Sequence, residues 1–209
     1  MKNLVHEKGF YICKNVLSAQ LIEHLQISFN LLKDLSYLNI DPNDKYYFSD
    51  GQVKNCFSLY SPSCFESMLL QLLPLMEEIT SLKLYPSYSF GRIYYKDSCL
   101  KKHIDRPSCE VSTTVCLKKD VDWNFFIRNK QNEIEKINLN EGDMCVFFGN
   151  ELEHWREEYK GEEHIQFFLH YVNQNGNFNN FKNDRRPLLG INRFTKIETE
   201  KNISSYKYS

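Results

Sequence analysis

No CxxC pair occurs in this 209-residue chain, and its cysteines are odd in number, seven, scattered from Cys13 to Cys145. That pattern excludes a zinc ribbon, argues against a disulfide framework and predicts reduced thiols. Glycine is sparse at eight residues, and there is neither a glycine-rich phosphate loop nor an internal repeat. No run approaches the length of apolar residues a membrane helix needs, and the opening MKNLVHEKGFYICKN has no apolar leader core. A soluble, cytoplasmic protein with no membrane partner is therefore expected. Excess charge is also missing: 26 basic residues against 27 acidic ones leave a net charge of −1. Without a global positive field, a nucleic-acid partner is disfavoured.

What is present is enough chain for one domain spanning 1–209, with a core that needs no staples. It divides into an N-terminal strand and helices (1–86), a β-rich core (87–173) and a wrapping C-terminal segment with a loose tail (174–209). GFYICKNV reads as a strand, and Ser18 as the N-cap of a helix whose Leu21, Leu25, Phe29 and Leu32 share a face. The chain from Tyr37 to Tyr60 reads as irregular surface. Ser63 and Glu66 form an SxxE capping box before a helix over about 63–82, which Pro74 should kink or divide.

From Ser87 onward, six aromatic or β-branched runs (SFGRIYYK, EVSTTVCLKK, DWNFFIR, EKINL, DMCVFFG, EHIQFFLHYV) alternate with turn signals. Such spacing favours a sandwich or barrel, mainly β with bracing helices (α+β), over a doubly wound sheet. The basic DRRP near the end reads as a solvated surface run.

The chemistry lies in His103-Ile104-Asp105 combined with His154. Side chains two apart on a strand share a face, so His103 and Asp105 can grip one metal from one side. Two histidines and one carboxylate on a single octahedral face leave three positions open, the arrangement of non-haem Fe(II) oxygenases. An HxD pair alone is frequent by chance. Here it follows a strand, GRIYY, and a short loop, while His154 follows the turn and apolar strand EGDMCVFFG.

In RIYYKDSCLKKHIDRP and GDMCVFFGNELEHWREEYKGEEHIQFFLHYV the sequence resembles the Fe(II)/2-oxoglutarate-dependent dioxygenases, particularly the prolyl-4-hydroxylase-like branch. The resemblance covers about 87–173, and EKGFYICKNVLS is similar to the lead-in of many such enzymes. It implies a double-stranded β-helix (jelly roll) with N-terminal helices packed on the larger sheet. It implies His103, Asp105 and His154 as iron ligands, and Tyr94, nine residues ahead of His103, as a contact of 2-oxoglutarate. The implied cofactors are Fe(II), 2-oxoglutarate and O2, with ascorbate as a reductant. A carboxylate at 105 implies hydroxylation, or a demethylation or desaturation that starts alike, rather than halogenation.

One position departs from the branch. Where it carries Lys or Arg for the distal carboxylate of 2-oxoglutarate, this chain has His164. A neutral imidazole offers one hydrogen bond in place of a charged bidentate pair. His164 protonated by the bound dianion and Arg156, on the face of His154, are equal candidates to supply that charge; Arg92, on the face of Tyr94, is the third.

The leading expectation is hydroxylation of a peptidyl, proline-like residue with release of succinate and CO2. The alternatives are the same chemistry on a free amino acid or small metabolite, and a non-catalytic metal-binding jelly-roll module. Nucleic-acid demethylases of this fold carry two arginines on the last strand, and EHIQFFLHYV has none. Charge balance permits a monomer, and a free sheet edge a homodimer. Beside these sharp readings stand bland ones: His170 as a satisfied core histidine, Trp123 and Trp155 as core, Arg106 as a partner of Glu110 or a substrate contact.

Overall fold

The computed structural model describes residues 2–38 and 50–190. The first half supplies α1 (Lys2–Lys8), β1 (Phe10–Cys13), α2 (Ala19–Leu38), β2 (Cys56–Tyr60), α3 (Ser63–Gln71) and α4 (Leu73–Thr80). The second is β: β3 (Leu84–Tyr95), β4 (Leu100–His103), β5 (Val111–Lys119), β6 (Phe125–Arg128) and β7 (Ile134–Ile137). It finishes with β8 (Met144–Phe147), β9 (His154–Arg156) and β10 (Glu163–Asn173). They form a six-stranded sheet in the order β1-β8-β5-β10-β3-β2 and a four-stranded sheet in the order β4-β9-β6-β7. Neighbouring strands are antiparallel throughout. This is the double-stranded β-helix expected from the sequence, with helices on the larger sheet.

Strand β10 explains the layering. It lies between β3 and β5, so both of its edges are paired. By the two-residue period, Ile165, Phe167, Leu169 and Tyr171 join the core beneath the helices. The alternate residues, His164, Gln166, Phe168 and His170, turn into the barrel. On the helix side Phe167 stacks on Phe65, with ring centres 4.8 Å apart. Gly91 of β3 makes that layer fit: a Cβ there would lie 2.5 Å from Phe65 and 2.7 Å from Phe29.

Ser18 caps α2 as expected, its Oγ accepting from the Leu21 N–H at 3.3 Å. The segment 63–82 divides at Leu72, with Pro74 in the first turn of α4, where a missing N–H leaves no bond unmade. The capping box does not form. Pro62 is the N-cap, Ser63 is already helical, and the Glu66 carboxylate is buried. Glu66 instead accepts from the Ser89 N–H and Oγ at 3.0 and 3.2 Å and pairs with Arg186 at 3.2 Å. A buried cation outcompetes a helix end for this carboxylate.

Three further readings are corrected. The run from Tyr37 to Tyr60 contains β2, an edge strand paired with β3 that buries Cys56 and Phe57; DPND lies outside the described residues. DRRP is no solvated run, because Asp184 and Arg186 are buried in ion pairs. Arg106 pairs with Asp184 rather than Glu110, whose carboxylate accepts from the Asn173 N–H. The segment from Asn179 to Arg185 wraps as 3-10 turns; the tail from 191 lies outside the described residues. All seven thiols are free. No helix among the described residues is long and apolar enough to cross a membrane.

Candidate active site

The register of two short strands assembles the histidines. In the β4–β9 pair His103 stands opposite His154, bringing their ring centres to 4.2 Å. Asp105 does not share their strand. β4 ends at His103, and the chain then turns, the Asp105 N–H donating to the Gly149 carbonyl at 2.9 Å. That turn carries the carboxylate to the histidines: Oδ1 lies 3.5 Å from His103 Nε2 and 3.7 Å from His154 Nε2.

The tautomers follow from the backbone. His103 Nδ1 meets the Lys101 carbonyl, and His154 Nδ1 the Leu152 carbonyl, each at 2.8 Å. A carbonyl can only accept, so both Nδ1 atoms carry hydrogen, and both Nε2 atoms face Asp105, where each neutral ring offers a lone pair. Burial opposes charge on His103, but its contact with Asp105 holds its pKa above the ordinary value. His154 is pushed below by burial. Burial works against the Asp105 carboxylate as well, yet the surrounding histidines keep its pKa low. Two imidazole nitrogens and one carboxylate oxygen, all within 4.8 Å of one another, are a donor set that fits a divalent iron-type ion.

The three residues open into a cavity of about 140 Å³ with an aromatic wall of Tyr88, Phe90, Phe125, Phe147 and Phe168. Arg92 also lines it, but its charge is spent: Nε donates to Asp50 at 2.7 Å, Nη2 pairs with the same carboxylate, and Gln52 takes a further bond at 3.0 Å. Its Nη1 donates to Tyr94 Oη at 3.1 Å, which leaves the tyrosine hydrogen unspent. Arg156, Tyr94 and His164 lie behind the wall rather than in it. The guanidinium of Arg156 is 5.5 Å from the centre of the Phe125 ring and 4.5 Å from that of Trp123.

Arg156 is the unusual group. It is only 2% exposed, and its side chain's one hydrogen bond goes to the Trp123 carbonyl at 2.7 Å. No carboxylate pairs with it among the described residues. Buried arginines ordinarily have an anion. Next to it, neither ring nitrogen of buried His164 has a hydrogen-bond partner. Burial first, and then the charge of Arg156, hold the His164 pKa well below its ordinary value. Gln166 Oε1 is likewise unpartnered, while its Nε2 donates to Thr114 at 2.9 Å.

At the rim, Arg106 lies over the Tyr88 ring and makes a two-pronged pair with Asp184 at 2.7 and 2.8 Å. Tyr60 donates to the same carboxylate. Asn183, Asp184 and Arg185 are all left-handed without being glycine, a strained geometry that these contacts maintain.

Sequence reasoning singled out His103, Asp105, His154, Tyr94, Arg92, Arg156 and His164; the structure places the triad and Arg92 at this cavity and the other three behind its aromatic wall. It passed over Asp50, Gln52, Thr114, Ser112 and Asp184. Alternation along β5 could have pointed to Ser112 and Thr114; nothing local distinguishes the others. His170, read from the sequence as a satisfied core histidine, is hydrogen-bonded and also lines the cavity.

No family model and no curated protein matches the sequence. The fold, however, matches solved structures. A Pseudomonas putida prolyl-4-hydroxylase aligns at TM-score 0.62 and 13% identity, over 82% of this chain and 96% of that one. HygX from Streptomyces hygroscopicus, with nickel and 2-oxoglutarate bound, aligns at 0.62 and 13%, over 83% and 86%. A Trichoplax adhaerens prolyl hydroxylase, in complex with a hypoxia-inducible-factor peptide fragment, aligns at 0.60 and 13%, over 82% and 87%. The chain thus has the fold of the 2-oxoglutarate-dependent Fe(II) oxygenases.

Proposed function

We propose that the protein is an Fe(II)- and 2-oxoglutarate-dependent oxygenase that hydroxylates a C–H bond of a peptidyl, proline-like residue. The observation that carries this reading is the convergence of two histidine Nε2 atoms and one carboxylate oxygen on a single point at the cavity wall. The nickel and 2-oxoglutarate in HygX, of the same fold, support the choice of metal and cosubstrate.

A bound iron would supply the oxidising power for C–H hydroxylation, O2 being the oxidant and 2-oxoglutarate the co-reductant that ends as succinate and CO2. The chain's own residues hold and orient. His103, Asp105 and His154 would grip the metal from one side. Arg156 would meet the distal carboxylate of the cosubstrate, with the unspent Tyr94 hydroxyl and a ring nitrogen of His164 as further donors. Arg92, already neutralised by Asp50, supports Tyr94 rather than the carboxylate. The phenylalanine wall keeps water from the reacting centre.

A second reading, the same chemistry on a free amino acid or other small metabolite, is favoured by the rim. There the Arg106–Asp184 pair and Tyr60 stand against Tyr88, which narrows the approach. The deciding experiment is anaerobic titration of the apoprotein with Fe(II) and 2-oxoglutarate, following the metal-to-ligand charge-transfer band. A band in the wild type that His154→Ala lacks is expected; no band in either would sink the proposal. Succinate release with proline-containing peptides against free amino acids then chooses between the substrates.

A further inference from the structure

Asp105 has two carboxylate oxygens, and only Oδ1 faces the histidines. Oδ2 lies 3.1 Å from the hydroxyl of Ser112 on β5. That hydroxyl is crowded: it is also 3.1 Å from the Cys109 carbonyl and 2.9 Å from His170 Nδ1. A serine hydroxyl has one hydrogen, and both the carboxylate and the carbonyl can only accept. If that hydrogen went to His170, the Ser112 oxygen would face two further acceptors with no hydrogen between them. The arrangement that leaves only one such contact, at the Cys109 carbonyl, has His170 Nδ1–H donating to Ser112 and Ser112 donating to Asp105, the ionised and stronger acceptor. His170 is held for this role by the Tyr88 ring, whose centre is 4.4 Å from its own.

Gly149 provides a separate observation. Its φ is not positive, so backbone freedom does not explain a glycine there. Space does. A Cβ at 149 would lie 2.5 Å from Asp105 Oδ2, 2.5 Å from Ser112 Oγ and 2.7 Å from the Cys109 carbonyl. The Gly149 carbonyl meanwhile takes the Asp105 N–H. One residue therefore anchors the backbone of Asp105 and leaves the space its carboxylate occupies.

We infer that Ser112, oriented by His170 and fitted against Gly149, is a positioning residue that ties down Asp105 Oδ2 so that Oδ1 alone is offered to the metal. This rests on the metal-site reading above. A carboxylate held so that it offers one oxygen would leave room at a bound metal for the cosubstrate and O2, while a freed carboxylate could swing and compete with them. Removing such a support costs about 10–100-fold in metal affinity where it has been measured in other proteins.

The test is Co(II) titration of the apoprotein, followed by its visible ligand-field absorption, with apoprotein melting recorded alongside. Ser112→Ala and His170→Phe should each weaken Co(II) binding about tenfold or more. His170→Asn, which keeps a donor near the Nδ1 position, should restore most of the affinity. The Ser112→Ala/His170→Phe double variant should bind no more weakly than Ser112→Ala, because both act through one hydrogen-bond chain. A merely structural role would lower the melting temperature and leave Co(II) affinity alone, and that result overturns the inference. So does a double variant whose losses add. If the wild type itself binds no Co(II), the metal-site reading fails first, and this inference with it.

Discussion

The two ends of the cavity are built on opposite terms. At the triad, every polar atom that does not face the common point is committed. Both Nδ1 atoms are tied to backbone carbonyls, and Asp105 Oδ2 is met by Ser112. At the inner end the reverse holds: the Arg156 side chain has a single hydrogen bond, and both nitrogens of His164 and Oε1 of Gln166 have none. Committed atoms fix a geometry in advance. Uncommitted buried ones cost free energy, of order 1–3 kcal/mol each and more for a charge, unless a ligand completes them. One end is preorganised to hold; the other is set up to receive.

The sharpest way to break this contrast is Arg156→Leu. Losing a charged, two-pronged contact should weaken 2-oxoglutarate binding about 10–100-fold, with Fe(II) affinity unchanged, as read from the charge-transfer titration. Because the substitution also removes a buried cation that has no anion, the melting temperature of the apoprotein should hold or rise. Equal losses of metal and cosubstrate affinity would mean that the two ends are not separate.

Acid should act on the inner end next. The His164 pKa is depressed in the folded protein, by burial and then by Arg156. The unfolded chain takes up a proton there below about pH 6.5, so it binds more protons than the folded state, and stability falls as pH drops. This one group contributes a slope of about 1.4 kcal/mol per pH unit below that point until its folded pKa is reached. His164→Phe should flatten the decline in urea melts of the apoprotein taken across this range. An unchanged slope would show that His164 is charged or solvated in the folded state. The smallest effect serves as a control: Ser18→Ala removes a helix cap, costing about 1 kcal/mol, and should leave both affinities untouched.

The outline of the fold was legible because its determinants are local. Alternation in EHIQFFLHYV placed four residues toward the helices and four toward the barrel. Ser18 and Pro74 acted where backbone chemistry requires. The convergence of His103, Asp105 and His154 was legible in its residues but not in its construction, since Asp105 reaches the histidines through a turn fastened to Gly149. The capping box failed and DRRP went inside for one reason. Glu66 met Arg186, and Asp184 met Arg106, across 120 and 78 residues of sequence. No local rule weighs a helix cap against a partner so distant.

The same division runs through the inner end of the cavity. Residue types and spacing were sufficient to single out Arg92, Tyr94, Arg156 and His164 and to mark His164 as a departure. They ranked Arg156 and His164 together, ahead of Arg92, but could not supply the reason, because that depends on who else is near. Asp50 and Gln52 neutralise Arg92, while the aromatic rings around Arg156 bring no anion. Sequence by itself determined which chemistry was available: period, donor atoms, charge. Tertiary structure alone decided which of those atoms remained unspent, because a hydrogen or lone pair is used up by whatever the fold brings within about 3 Å of it.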